Sequence, residues 1–352
     1  MDANETMIVR LTQIDGKLPN LALMKLASYH RKRGDEIVFT RRTRRDMLEP
    51  QYGRVYGSAI FGFSAGRVAE LYESFPGAIV GGSWNLTDEI TPETFPTVES
   101  TLGIPEGMRQ DYSLYPDFDG SIGYSQRGCR MKCKFCGVPR MEGKPRSVSD
   151  LAGLWRGDPY PKHIHLLDND FFGQPEPAWR AFIEEVRAGG FKVCFNQGVN
   201  IRMITDETAK ALASVRYSDD SFTTRRLYTA WDNLGDEERF FRGIDTLERC
   251  GIPPTQVMAY MLLGFDKKET WARAFYRFNK LVARGIRPYP MVYNIGRQQR
   301  LPLGGHNAPI ADRTLGEFQR WVIRKAYAFI PFEHYDVNAK GRADPSQEAM
   351  PL

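Results

Sequence analysis

Histidine and cysteine are scarce in this chain, five of each among 352 residues. Beyond one dense cysteine stretch there is no second Cys-x2-Cys and no His-x3-His, so the paired ligand sets of closed structural zinc sites are missing. No apolar run approaches the length needed to cross a bilayer, and Met1-Asp2-Ala3-Asn4-Glu5 does not open a secretory signal. A cytosolic protein is expected, a compartment that also suits reduced, clustered thiols. Low-complexity tracts are absent and aromatics make up 12% of the residues. The chain therefore reads as globular, long enough for one large or two ordinary domains.

What is present begins with Cys129, Cys133 and Cys136, three of the five cysteines, at Cys-x3-Cys-x2-Cys spacing between Ser125 and Gly137. Thiols so spaced can converge on one face of a tight loop, and thiolates are the ligands that iron–sulfur centres prefer. Zinc, with His163 or His165 as a fourth ligand, and a disulfide are the competing readings. The net charge of +5 is modest, but its distribution is uneven. His30-Arg31-Lys32-Arg33 and Arg41-Arg42-Thr43-Arg44-Arg45 lie close together, and Arg127, Arg130, Lys132, Lys134, Arg140, Lys144 and Arg146 surround the cysteines. Such clusters favour anionic partners, including nucleic acid and phosphorylated small molecules; a solvated surface is the plainer account.

Along the first hundred residues, Met7–Leu11 predicts a strand, Leu21–Arg33 a helix stopped by Gly34, and Glu36–Thr40 a second strand. Ser58–Phe63 predicts a third strand, Arg67–Ser74 a short helix, and Ala78–Val80 a strand ending in Gly81-Gly82. This alternation implies a small doubly wound parallel sheet whose ligand edge would carry Gln13, Asp15, Gly16, Ser64 and the glycine pair. The Pro-, Thr- and Ser-rich stretch that follows reads as a connection. Six strand–helix units come next, with strands at 120–125, 163–167, 192–197, 226–231, 257–263 and 288–293. Mostly apolar strands in this order imply a parallel sheet covered by helices and curved into a partial barrel. A helix from Leu315 to Phe329 would close its open side, followed by a loose tail from Asn338.

The cysteine triplet, with Phe135 before the last cysteine, resembles the signature of the radical S-adenosylmethionine (radical SAM) enzymes. That resemblance covers roughly residues 119–295. It implies a four-iron four-sulfur cluster held by Cys129, Cys133 and Cys136, with S-adenosylmethionine on the remaining iron. The implied activity is reductive cleavage of that cofactor to a 5′-deoxyadenosyl radical, which abstracts hydrogen from an anionic, nucleotide-like or nucleic-acid substrate. An external one-electron donor such as a flavodoxin or ferredoxin is implied as a partner. The resemblance also extends to the first domain, which is similar to the cobalamin-binding domain of one branch of the family through Val80-Gly81-Gly82-Ser83. The Asp-x-His-x-x-Gly cobalt-ligand motif is absent, and a Rossmann-like module used for packing or substrate contact is the preferred reading over bound cobalamin.

The expected architecture is thus α/β: a Rossmann-like domain over 1–100, a linker over 101–118, a partial (β/α)6 radical SAM barrel over 119–300, and a helical extension and tail over 301–352. Asp168, Asn169 and Asp170 follow the second barrel strand, where the family accepts the methionine ammonium and a carboxylate suits a charge-assisted bond; a solvated turn is the plain alternative. Asn196, Gln197 and Arg202 follow the third, placed for ribose and carboxylate contacts. Leu263, Gly264 and Tyr293, with Asn294, fall where adenine packs in the family, and Glu269 stands at the matching distance from Gly264. Cys194, Tyr228 and Asp232 are candidates for substrate chemistry, although a free cysteine is more commonly a small buried hydrophobe. Two rival functions remain: a cobalamin-dependent methyltransferase, and a nucleic-acid-binding protein with a structural metal.

Overall fold

A computed structural model of the chain describes residues 6–87, 89–293 and 296–337. Asn294 and the tail from Asn338 lie outside the described residues. The chain is α/β, its strands pair mostly in parallel, and it divides after Pro161 into two compact units.

In the first unit β1 (Ile8–Gln13), β2 (Glu36–Thr40), β3 (Arg54–Ser58) and β4 (Ile79–Gly81) form a parallel sheet in the order β2-β1-β3-β4. Alternation along β1 sorts its side chains. Val9 and Leu11 pack with Leu23, Met24 and Ala27 of α1 (Leu21–Lys32), a helix capped by the Asn20 side chain on the Leu23 N–H. Arg10 and Thr12 are the alternate residues, and α2 (Ala65–Ser74) brings Val68 and Leu71 onto Ile14 and Val55. The crossover from β2 to β3, residues 41–53, contains no helix. Arg10, fully buried, organises it instead: its guanidinium donates to the Arg42 carbonyl (2.9 Å) and to both Glu49 carboxylate oxygens (3.2 Å each), 4.6 Å from the Phe75 ring. The tip of the crossover, Met47 and Leu48, is more than nine-tenths exposed.

The third strand corrects the sequence reading. The apolar run Ser58–Phe63 predicts a strand, yet the strand is Arg54–Ser58 and the run turns off the sheet. Asp15 explains the turn, because its carboxylate accepts the backbone N–H groups of Ile60 (2.8 Å) and Phe61 (3.0 Å) that a ladder would use. The stretch expected as a connection packs onto α1: α3 (Val98–Leu102) is followed by Ile104, Leu114 and Tyr115, which enter the same core as Leu23 and Met24. The unit is completed by β5 (Ser121–Gly123), β6 (Gln126–Arg127), α4 (Val138–Glu142), β7 (Arg146–Ser147) and α5 (Leu151–Leu154), the last capped by Asp150.

In the second unit β8 (His163–Leu166), α6 (Glu176–Gly189), β9 (Lys192–Phe195), α7 (Asp206–Ala213) and β10 (Arg216–Tyr217) lead into β11 (Leu227–Ala230). Then come α8 (Glu237–Arg249), β12 (Val257–Leu263), α9 (Trp271–Ala283), β13 (Arg287–Val292) and α10 (Leu315–Ile323). β9 pairs in parallel with β8 and β10, and β12 with β11 and β13. The segment after β9 joins the two groups of strands, since Val199 N–H donates to the Tyr228 carbonyl (2.8 Å). Helices of strong amphipathic pattern cover these strands: α8 buries Phe240, Ile244 and Leu247, and α9 buries Trp271, Phe278 and Leu281.

Two local turns shape this unit. Phe222, between β10 and β11, has φ +56°, a conformation a bulky residue rarely adopts. Asp219 secures it by accepting the N–H groups of Thr223 (3.0 Å) and Thr224 (3.2 Å), and the Phe222 ring stacks on His163 with centroids 4.3 Å apart. The helix expected over Leu315–Phe329 stops at Ile323, because Lys325 turns left-handed and the chain folds back. The return is fixed by Trp321 Nε1 donating to the Ile330 carbonyl (2.8 Å) and by buried Phe332 packed against Trp271 and Phe318.

Candidate functional site

The cysteine loop belongs to the first unit and is closed at its base by a short antiparallel ladder, Gln126 opposite Ser147 and Arg127 opposite Arg146. Gly128 starts the loop with φ +83°, and a Cβ there would sit 2.3 Å from the Lys144 carbonyl oxygen, so only glycine fits. Glu142 ties the two ends together, accepting the Gly128 N–H (2.8 Å) and the Arg127 guanidinium (2.9 Å). Farther along, Cys129 N–H donates to the Gly143 carbonyl (3.3 Å), and Cys136 N–H to the Cys133 carbonyl (3.0 Å). Gly137 admits Leu86, whose Cδ2 would lie 2.1 Å from an added Cβ. The loop is therefore pinned from several sides.

Cys129, Cys133 and Cys136 are all partly exposed, whereas Cys194 is buried. Met131 N–H points at Cys129 Sγ, 3.4 Å away, a donor–sulfur contact of the kind that stabilises a thiolate ligand. Arg130, Lys132 and Lys134 are exposed between the cysteines, while Phe135 is half-buried. Among the described residues no group of three or more His, Cys, Asp or Glu side chains is gathered closely enough to hold a metal ion. This bears on zinc and iron alike; the rings of His163 and His165, the suggested fourth ligands of a zinc site, lie against Phe222. The donor chemistry, three soft thiols on one constrained loop beside cationic side chains, fits an iron–sulfur cluster.

The other candidate residues belong to the second unit, most at the carboxyl ends of its strands. Asp168 and Asp170 follow β8 and are buried, unlike the residues of a solvated turn; Asn169 between them is half-buried. Asn196 follows β9, is fully buried, and neither atom of its carboxamide has a hydrogen-bond partner among the described residues. A buried amide so placed costs free energy until something supplies a donor and an acceptor. Gln197 is half-buried beside it. Arg202 is engaged by the Asp236 carboxylate at 2.9 Å. Leu263 is fully buried and its carbonyl accepts the Tyr293 N–H (2.9 Å); Gly264, φ +81°, leaves room for Gln299, and Tyr293 meets Phe265 edge to face. Glu269 pairs with Arg277 rather than standing open, 2.6 Å away.

Cys194 is buried, and its thiol titrates well above the ordinary range because burial penalises the thiolate, with Asp220 and Asp219 adding to it. It shares one cluster with Tyr228, Met258 and Tyr289, which places the alternate residues of β9, β11, β12 and β13 on a common inner face. Tyr260 completes this face: its ring stacks on Tyr228 at 5.9 Å, meets Tyr289 edge-on at 5.7 Å, and its hydroxyl donates to the Asn196 carbonyl (3.4 Å). Burial also raises the phenols of Tyr228 and Tyr260. Asp232, after β11, accepts the Leu262 N–H (3.1 Å), and burial pushes its carboxyl up to about 6 against the opposing effect of that bond and of Arg277. Tyr260, Tyr289 and the second unpartnered amide, Asn200, escape the sequence reading. Strand parity with Tyr228 was the available signal for the two tyrosines.

The ligand edge expected of the first unit is largely occupied by the protein's own bonds. Gln13 donates to the Gly16 (3.1 Å) and Leu18 (3.0 Å) carbonyls and accepts from the Tyr115 hydroxyl (3.0 Å); Asn20 donates to Ser58 Oγ (2.9 Å). Both Asp15 oxygens face Ile60 and Phe61 N–H groups. Gly82, φ +101°, passes so near the Ala59 carbonyl oxygen that a Cβ would lie 1.9 Å from it, and Ser64 is buried. No family model, curated protein or solved structure matches the chain. No helix of the described residues is long and apolar enough to cross a membrane.

Proposed function

We propose that the protein is a radical SAM enzyme whose second unit contributes to a partial (β/α)6 barrel and whose first unit is a Rossmann-like module. The observation that carries the reading is the cysteine loop: three partly exposed cysteines at Cys-x3-Cys-x2-Cys spacing on a loop fixed by Gly128 and Glu142. Cys129, Cys133 and Cys136 would hold the cluster. When bound, a four-iron four-sulfur cluster supplies the electron that splits S-adenosylmethionine into methionine and a 5′-deoxyadenosyl radical, which takes hydrogen from the substrate.

This chain's residues position and shield. Buried Asp168 and Asp170 suit the cofactor's ammonium, Asn196 offers an amide donor and acceptor to its ribose or to substrate, and the tyrosine-lined inner face excludes water. The high thiol titration of Cys194 keeps it protonated at neutral pH, as a hydrogen donor would need to be. An external one-electron donor of the flavodoxin or ferredoxin kind completes the scheme, with an anionic substrate. The internal bonding of Gln13, Asp15, Asn20 and Ser58 favours the form without cobalamin over a cobalamin-dependent methyltransferase.

Anaerobic reconstitution with iron and sulfide, followed by iron counting and assay of 5′-deoxyadenosine under dithionite, tests the proposal. Wild type should bind a cluster and release 5′-deoxyadenosine; Cys133→Ala should lose both while unfolding in urea as wild type does. Stoichiometric zinc and a colourless protein would instead favour a nucleic-acid-binding protein with a structural metal.

A further inference from the structure

We infer that the carboxyl edge of the first unit's sheet docks single-stranded nucleic acid, on a stacked pair of phenylalanines with two arginines at the same sheet edge. The strands end nearly level, Gln13 opposite Ser58, Ser58 opposite Gly81 and Thr12 opposite Thr40, so the segments that follow them emerge on one edge. After β3, Phe61 and Phe63 lie ring on ring, with centroids 5.0 Å apart and planes 9° from parallel, and Phe63 is 61% exposed. Their backbone is fixed. Asp15 holds the Ile60 and Phe61 N–H groups, the Ser83 hydroxyl donates to the Ile60 carbonyl (2.8 Å), and Ser64 N–H closes back on the Phe61 carbonyl (2.9 Å). A ring held this way presents a flat face to a partner at little ordering cost.

Positive charge stands at the same edge. Arg41, the first residue after β2, donates to the Gly16 (3.1 Å) and Lys17 (3.4 Å) carbonyls; Arg67, in the first turn of α2, donates to the Arg41 (2.8 Å) and Ile14 carbonyls. Both guanidiniums are braced on backbone oxygens, which orients them without cancelling their charge. Of the carboxylates nearby, Glu70 accepts from Thr43 (2.6 Å) and Arg44 (3.0 Å) and also lies within the field of Arg67, while Asp15 accepts backbone N–H groups. An exposed stacking face combined with braced cations, two arginines bonded to backbone carbonyls and Arg41 in no ion pair among the described residues, is what unpaired bases and their phosphates require, whereas a duplex keeps its base faces hidden. The surface belongs to the first unit alone and stands independently of the radical SAM reading.

Fluorescence anisotropy of the full-length protein with labelled 20-nucleotide oligo-dT and oligo-U, at low and physiological salt, tests it. Wild type should bind at least one of these single strands and release it as salt rises. Phe63→Ala should weaken binding roughly 5–150-fold, Phe63→Leu should weaken it as well, and Phe63→Tyr should retain it. Arg41→Gln and Arg67→Gln should each lower affinity and flatten the salt dependence, by a slope of about 0.7 for each phosphate no longer neutralised. The inference is overturned if neither single strand binds at low salt, if Phe63→Ala binds as wild type does, if a duplex of equal length binds equally well, or if the protein partitions onto phosphatidylserine vesicles while ignoring both oligonucleotides.

Discussion

Arg277 and Glu269 form an ion pair 2.6 Å long inside the second unit, the guanidinium 1% and the carboxylate 6% exposed. The same guanidinium donates to the carbonyls of Trp231 (3.1 Å), Asp232 (3.0 Å) and Leu262 (3.0 Å), so one side chain ties the end of β11 to the end of β12. Removing the carboxylate leaves a buried cation short of its counter-charge. Glu269→Ala should lower the unfolding free energy by about 3–5 kcal/mol, with Glu269→Gln less damaging, as read from urea midpoints. A change under about 1 kcal/mol in the alanine variant would show that the carbonyls alone satisfy Arg277.

Asp232 gives a pH signature. Burial raises its folded-state carboxyl from 3.8 to about 6, against Arg277 and Arg202, which lower it, and with Asp236, which raises it further. The folded protein then holds the proton more tightly than the unfolded chain, so this residue's contribution is fully present below pH 3.8 and is lost as the pH climbs through 6. Between pH 4 and 7 wild type should lose on the order of 3 kcal/mol relative to Asp232→Asn, whose amide oxygen still accepts the Leu262 N–H. Parallel stability profiles for the two proteins would refute this.

In the first unit Arg10 holds a crossover that has no helix of its own. Arg10→Ala strands the Glu49 carboxylate and frees the Arg42 carbonyl, and it should cost about 3–5 kcal/mol. Arg10→Lys should recover only part of that, since an ammonium cannot reproduce the forked contact with Glu49. Urea unfolding of both variants provides the measurement, and equal stability of Arg10→Lys and wild type would argue against the fork.

Gly128 links backbone geometry to the proposed cluster loop. An added Cβ meets the Lys144 carbonyl at 2.3 Å from a left-handed backbone, so Gly128→Ala has to shift the base of the cysteine loop. Expected are a loss of about 1–3 kcal/mol in stability and fewer iron atoms retained per chain after anaerobic reconstitution. Full iron loading at unchanged stability would count against the role given to the glycine.

The sequence reading succeeds where one periodicity governs a whole element. Leu21–Lys32 and Glu237–Arg249 bury a stripe at helical spacing, and β12 alternates fully buried Met261 and Leu263 with half-buried Tyr260 and Leu262; all three elements are legible without coordinates. It fails where a distant polar group overrides local propensity. Ile60 and Phe61 are good strand residues, but Asp15, 45 positions earlier, takes their N–H groups. Leu315–Phe329 has an unbroken helical stripe, but the fold-back that buries Phe332 ends the helix at Ile323. The placing of Asp168 and Asn196 just past strand ends was legible as well. The burial of Asp168, and the lack of any partner for the Asn196 amide among the described residues, depend on packing that no local pattern records.

The bare tip of the β2–β3 crossover has a practical use. Met47 and Leu48 project into solvent from a segment anchored behind them through Arg42 and Glu49. A label, an inserted peptide or a new chain terminus placed between them would disturb neither the sheet nor the cysteine loop, which makes this position the natural handle for immobilising the protein while its chemistry is measured.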